Sequence, residues 1–162
     1  KTVGFAIAIS AIVKSLLQVP LARKIDKKTG EKDDFYVMLF GSFLVIVYTV
    51  GLIFIKFPWQ LYLLSVVSGI GGACLMAAYY AVFARHADKG AEGVEWSIFS
   101  VFGLTVSVAL GGAIGGILVD ILGFKTVLWM MAFLDFLATL LLLYLYPLLN
   151  KRQKGASIEI KG

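Results

Sequence analysis

Charged residues in this chain fall into short clusters, and between the clusters lie long stretches with almost none. Five apolar blocks result: Val3–Ala22, Phe35–Ile55, Leu61–Ala84, Trp96–Val119 and Thr126–Leu149. The apolar positions come as blocks and not at the period of an amphipathic helix or a half-buried strand. About 20 residues of helix, at ~1.5 Å each, cross the ~30 Å hydrocarbon core of a bilayer. The pattern therefore predicts an all-α membrane protein with five transmembrane helices, followed by a tail over 150–162.

Composition closes off the soluble alternative. Of the 162 residues 60% are hydrophobic and only 15% charged, whereas a soluble domain carries about 25% charged residues. The net charge of +5 would suit a nucleic-acid partner, but the Lys and Arg lie almost entirely between the blocks, at headgroup depth, so no nucleic acid is expected. The single cysteine, Cys74, sits inside the third block and offers neither a disulfide framework nor a metal cluster. The first block lacks the basic n-region and small-residue cleavage site of a signal peptide. No metal spacing, nucleophile–base set or phosphate loop appears, so neither an enzyme nor a cofactor is expected.

Loop charge orients the helices. Arg23–Asp34, Arg85–Glu95 and the tail together hold eleven of the 15 Lys and Arg, against Lys56 and Lys125 in the alternate connections. The positive-inside rule puts the three basic segments in the cytoplasm, with the amino terminus outside and the carboxy terminus inside. The plasma (inner) membrane is the expected location. Trp59, Tyr62, Trp96 and Trp129 fall near block ends, where amphipathic rings prefer the interface. Pro58 and Gly123 mark short outer turns.

The blocks differ in kind. Ser10, Lys14 and Gln18 recur every four residues and share one face of the first helix. A polar stripe at membrane depth must face protein or water. The fourth carries Gly103, Ser107, Gly111 and Gly115 at the same interval, a small-residue face suited to helix packing. The third mixes Ser65, Ser68, glycines, Tyr79 and Tyr80. Blocks one, three and four therefore read as interior, and two and five as peripheral wall.

Two segments resemble the carboxy-terminal half of a major facilitator superfamily transporter. Pro20-Leu-Ala-Arg-Lys-Ile-Asp26-Lys27-Lys28-Thr-Gly30-Glu-Lys32 is similar to the family's cytoplasmic loop signature. It has one extra residue between Asp26 and Gly30, Glu31 where a basic residue is usual, and Ala22 in place of an early glycine. Gly111-Gly-Ala-Ile-Gly115-Gly-Ile-Leu-Val-Asp120-Ile-Leu-Gly123-Phe-Lys125 is similar to the glycine-rich eleventh helix and its turn into the twelfth. A short echo links Ile25-Asp26 to Gly30 with Val119-Asp120 to Gly123, as three-helix inverted repeats would place them. The charged loop Arg85–Glu95, leading into an aromatic helix start, is also similar in spacing to that of glycoside–pentoside–hexuronide symporters, and names no substrate.

The resemblance implies helices eight to twelve of a 6+6 bundle, with eight, ten and eleven lining the cavity. It implies a secondary transporter of a small solute, working by alternating access against a missing amino-terminal half of the same chain, with H+ or Na+ as candidate coupling ion and the bilayer as its surroundings. Five crossings, a start at Lys1 and a three-helix repeat unit fit a fragment of such a protein. The alternatives are a non-transporting scaffold or regulatory protein that keeps the fold, and an intramembrane enzyme. The last would need converging ligands or acids that Lys14 and Asp135 alone do not supply.

Candidate chemistry follows. Lys14 lies ~12 Å from the basic end of its helix, where an ionisable group is a functional-site hypothesis. It could bind an anionic group of a solute or pair with a carboxylate; snorkelling to the interface or a structural ion pair would need no function. Ser10, Gln18, Tyr79, Tyr80 and Ser100 are candidate substrate- or coupling-cavity residues, though each is also common in packing. Asp135, near mid-membrane, is a candidate for proton coupling or for a hydrogen bond that fixes helix packing. Asp26, Lys27, Lys28, Gly30 and Lys32 form the candidate cytoplasmic gating loop; a solvated basic loop would serve orientation alone.

Overall fold

A computed structural model describes residues 1–26, 31–88 and 90–159, with side chains for all of these except 26, 31, 32, 86 and 145–159. The elements are α1 (Thr2–Asp26), α2 (Glu31–Ile53), α3 (Pro58–His86), α4 (Glu92–Ile98), a π-helical segment (Phe99–Val106), α5 (Ser107–Leu122) and α6 (Phe124–Glu159). Among the described residues every regular element is helical, and five spans are long and apolar enough to cross a membrane. The fourth span is composite, running through α4, the π segment and α5 as Glu92–Leu122. The last helix continues beyond the predicted block, through residues 150–159 of the tail.

Turn chemistry sets the connections on the Lys56/Lys125 face. Pro58 opens α3, where its missing N–H costs no hydrogen bond. Gln60 Oε1 accepts the Lys56 and Phe57 backbone N–H groups at 2.8 and 3.1 Å, closing the turn from α2. Gly123 alone separates α5 from α6. Its φ of +81° is open to glycine and strained for other residues, and its N–H caps Val119 O at 2.9 Å.

Lipid is as apolar as leucine, so helices in a bilayer associate through close packing and hydrogen bonds more than through burial of apolar area. Large side chains such as Phe5, Leu16, Phe40 and Phe133 accordingly point outward, and small residues make the joints. A Cβ at Gly69 would lie 2.7 Å from Ser10 O on α1, and one at Gly41 would lie 2.9 Å from Gly71 O on α3. Gly69 and Gly71 are about 200° apart around α3 at ~100° per residue, so α3 presents a notch to each neighbour. Towards the basic end the buried Ala77, Ala78 and Ala81 of α3 meet Ile25 of α1, with Leu21 and Ala22 of α1 and Val37 and Met38 of α2 packed around them.

This arrangement differs from the interior-and-wall division read from the sequence. α2, read as wall, is packed on both flanks, against α3 and α6. The fourth span, read as interior, has no buried residue, and a Cβ at Gly111 or Gly115 would meet no atom within 4 Å. α2 approaches α3 closely at Gly41 and Gly71, whereas the fourth span meets α3 through aromatic rings instead of backbone.

Candidate functional site

Lys14 and Ser10 come together on the wall of one cavity of about 720 Å³, bounded by α1, α2, α3 and α6. Its lining reaches the ends of these helices on the Lys56/Lys125 face, with Val3 of α1, Ile53 of α2, Leu61 of α3, and Phe124 and Lys125 of α6, and we take this end as its mouth. From Val3 to Lys14 the helix rises ~16 Å, so Lys14 stands at the deep end and Lys125 at the mouth. Tyr48 and Ser65 line the same space. Ser65 is buried and its hydroxyl donates to Leu61 O at 2.8 Å, leaving the oxygen lone pairs free. Ser10 Oγ donates to Ser68 Oγ across the α1–α3 joint at 3.4 Å, a long bond.

Glycine shapes the deep end as well. A Cβ at Gly72 would lie 3.5 Å from Lys14 Cδ, so the lysine stem runs over a helix surface with no side chain in its way. No carboxylate lines the cavity, and among the described residues Lys14 has no ion-pair partner. Gln18, one turn beyond Lys14, is half-buried on the same helix but does not line the cavity.

Tyr79, Tyr80 and Ser100 lie elsewhere. Tyr79 stacks on Phe99 with centroids 5.0 Å apart, and Tyr80 sits 5.5 Å from Trp96. With Phe83 these rings join α3 to the start of the fourth span, bridging helices whose backbones stay apart. Phe99 opens the π-helical segment, and its ring covers Gly103, where a Cβ would lie 2.9 Å from Phe99 Cδ2. The hydroxyls report the register. Ser65, Ser97 and Thr139 donate to the carbonyl four residues back, whereas Thr105 and Ser107 donate five back, to Ser100 O and Phe102 O. Ser100 thus supplies a backbone acceptor within the π segment.

Asp135 faces α2. Buried Thr49 donates to Asp135 Oδ2 at 2.9 Å, with Val45 O within 3.1 Å of the same hydroxyl. The hydroxyl serves either protonation state: it donates to the carboxylate, or accepts from the acid and turns its own proton to Val45 O. Asp135 does not line the Lys14 cavity.

At the opposite, basic end, Arg85 of α3 forms an ion pair with Asp34 of α2 through Asp34 Oδ2. Asp34 is fully buried, and its Oδ1 finds no donor among the described residues. The expected gating residues Lys27, Lys28 and Gly30, and the side chains of Asp26 and Lys32, lie outside the described residues. Sequence reasoning passed over Asp34 and Arg85 because each stands in a charged run at a block boundary, where solvation is the default. It also missed Tyr48, one ring among many in an apolar helix. Among the described residues no three of His, Cys, Asp or Glu come together in a way that could hold a metal ion.

No curated protein and no solved structure matches the chain. The family comparison does: residues 1–161 match the Major Facilitator Superfamily. Five apolar helices of crossing length agree with that match, and the chain belongs to the major facilitator superfamily of membrane transporters.

Proposed function

We propose that the chain forms the carboxy-terminal part, helices eight to twelve, of a secondary transporter that moves a small solute by alternating access. The cavity lined by Ser10 and Lys14 is its contribution to the solute path. The observation that carries this reading is Lys14 itself: an ammonium group on a membrane helix, at the deep end of a cavity of about 720 Å³, with no carboxylate beside it among the described residues. A helix that only holds a scaffold together gains nothing from such a group, because charge at membrane depth is costly unless it is used. Loop charge supports a cytoplasmic carboxy terminus and an outer mouth at the Lys56/Lys125 face, in a plasma membrane.

In this reading Asp135 is a candidate carrier of the coupling proton, since Thr49 satisfies it in both protonation states. The loop through Asp26, Lys27, Lys28, Gly30 and Lys32 is the candidate cytoplasmic gate. The open face at Gly111 and Gly115 is available to a helix of the amino-terminal half, whose approach the small residues would permit.

The test is uptake of a panel of radiolabelled solutes into proteoliposomes of the full-length protein. Lys14→Gln and Lys14→Ala, inserted at normal levels, are expected to cut uptake about tenfold or more, the loss of one charge-assisted contact. Unchanged uptake in both variants would remove Lys14 from the path, and absence of any uptake by the parent protein would favour the scaffold.

A further inference from the structure

The wall chemistry of the cavity narrows what it can hold. The basic side chains on it are Lys14 at the deep end and Lys125 at the mouth, and no acidic side chain lines it. The polar neutral groups are the hydroxyls of Ser10, Ser65 and Tyr48; the remaining lining is aliphatic or aromatic, with Leu52, Leu61 and Leu128 typical. A neutral, many-hydroxyl solute would leave most of its groups facing hydrocarbon, at a cost of about 1–3 kcal/mol for each polar group without a partner. A cation would meet two like charges and no carboxylate. An anion meets the opposite situation, because Lys14 lacks a counter-charge among the described residues and the aliphatic wall accepts a carbon body.

We infer that this cavity binds an amphipathic anion, with an acidic head on Lys14 and an apolar body along the wall toward Lys125. The inference rests on the transport reading only for the claim that such an anion is carried; the binding site stands on the wall chemistry. The same head-and-body chemistry occurs in a free organic acid and in an anionic lipid, and the binding medium separates the two.

The experiment uses the full chain in nanodiscs of zwitterionic phosphatidylcholine and tritiated 1-naphthoate, with neutral 1-naphthylmethanol and cationic 1-naphthylmethylammonium as isosteric controls. Saturable binding of the naphthoate alone is expected. Lys14→Gln is expected to weaken it about tenfold or more, Lys14→Arg to retain it, and Lys125→Gln, at the wetter mouth, to weaken it about twofold to threefold. If nanodiscs containing phosphatidylglycerol lower naphthoate affinity, the site is supported with lipid as its natural occupant; if they do not, it is supported with a free acid as occupant. Binding of the alcohol or the ammonium as tightly as the acid, no saturable binding of the acid, or unchanged binding in Lys14→Gln would overturn the inference. Uptake of naphthoate into proteoliposomes is scored separately. Lys14-dependent binding without uptake counts against transport while leaving the site in place, and uptake insensitive to Lys14 counts against the site while leaving transport in place.

Discussion

Arg85→Met is the perturbation whose consequence the structure specifies most closely. Asp34 is fully buried, while Arg85 is 30% exposed and bonds one of its two carboxylate oxygens. The other oxygen has no donor among the described residues, so Arg85 is the counter-charge on which burial of this carboxylate depends. Removing one partner of a buried pair typically costs about 3–5 kcal/mol, because the survivor stays buried and uncompensated. Partial solvation of Arg85 lowers the expectation to about 2–3 kcal/mol. Asp34→Asn removes the charge and is expected to cost about 1 kcal/mol, and the double variant should be close to Asp34→Asn alone, a coupling of about 2 kcal/mol. The assay is unfolding in mixed micelles as the mole fraction of dodecyl sulfate rises. Additive single effects, or a loss below about 0.5 kcal/mol in Arg85→Met, would show that Asp34 is solvated or held by another group.

The other expectations follow the same logic. Gly69→Val drives a side chain into Ser10 O and Val13, at Cβ distances of 2.7 and 2.8 Å, and should destabilise by about 1–3 kcal/mol in the same micelle assay; an unchanged midpoint would mean that α1 and α3 do not meet there. Thr49→Val strands the Asp135 carboxyl at the α2–α6 contact and should cost about 1–2 kcal/mol, with a shift in the carboxyl stretch in infrared spectra that Thr139→Val, bonded to the Asp135 backbone carbonyl, does not produce. Thr105→Val with Ser107→Ala removes both five-back hydroxyl bonds and frees the segment to return to α register, a turn of ~100° for one residue. Trp96 emission should shift as Phe99 leaves its ring cluster, and an unchanged spectrum would separate the hydroxyls from the register.

The five crossings were legible because apolar runs of bilayer length have one physical explanation, and each of the five blocks overlaps one of the five long apolar spans, the second running two residues past the end of its helix at Ile53. Lys14 and Ser10 were legible as a pair because helical spacing of four is local. Contacts between helices were a different matter. The joint at Gly41 and Gly71 depends on which faces meet, and a lone glycine in Phe- and Leu-rich sequence carries no label. The glycine run of the fourth span was conspicuous, yet among the described residues the close approaches to another helix are made at Gly41, Gly51, Gly69 and Gly71, and Gly103 meets only Phe99 of its own span. Tyr79 and Tyr80 illustrate the same limit: their polarity suggested a ligand, and their position gives them Phe99 and Trp96. The π register of Phe99–Val106 could not be read from spacing at all, because its hydroxyl bonds appear only once the backbone is placed.

The central claim is that the solute path in this chain runs through the cavity lined by Ser10 and Lys14 and opens at the Lys56/Lys125 face. The full-length protein with its one cysteine at position 10, made by Ser10→Cys with the buried Cys74 and every cysteine outside this chain replaced by alanine, tests it directly with a membrane-impermeant, negatively charged methanethiosulfonate added from that face. The account predicts complete modification, arrest of uptake, and slower modification when transported solute is present. A thiol at position 10 that stays unmodified, or full modification with uptake intact, would contradict it.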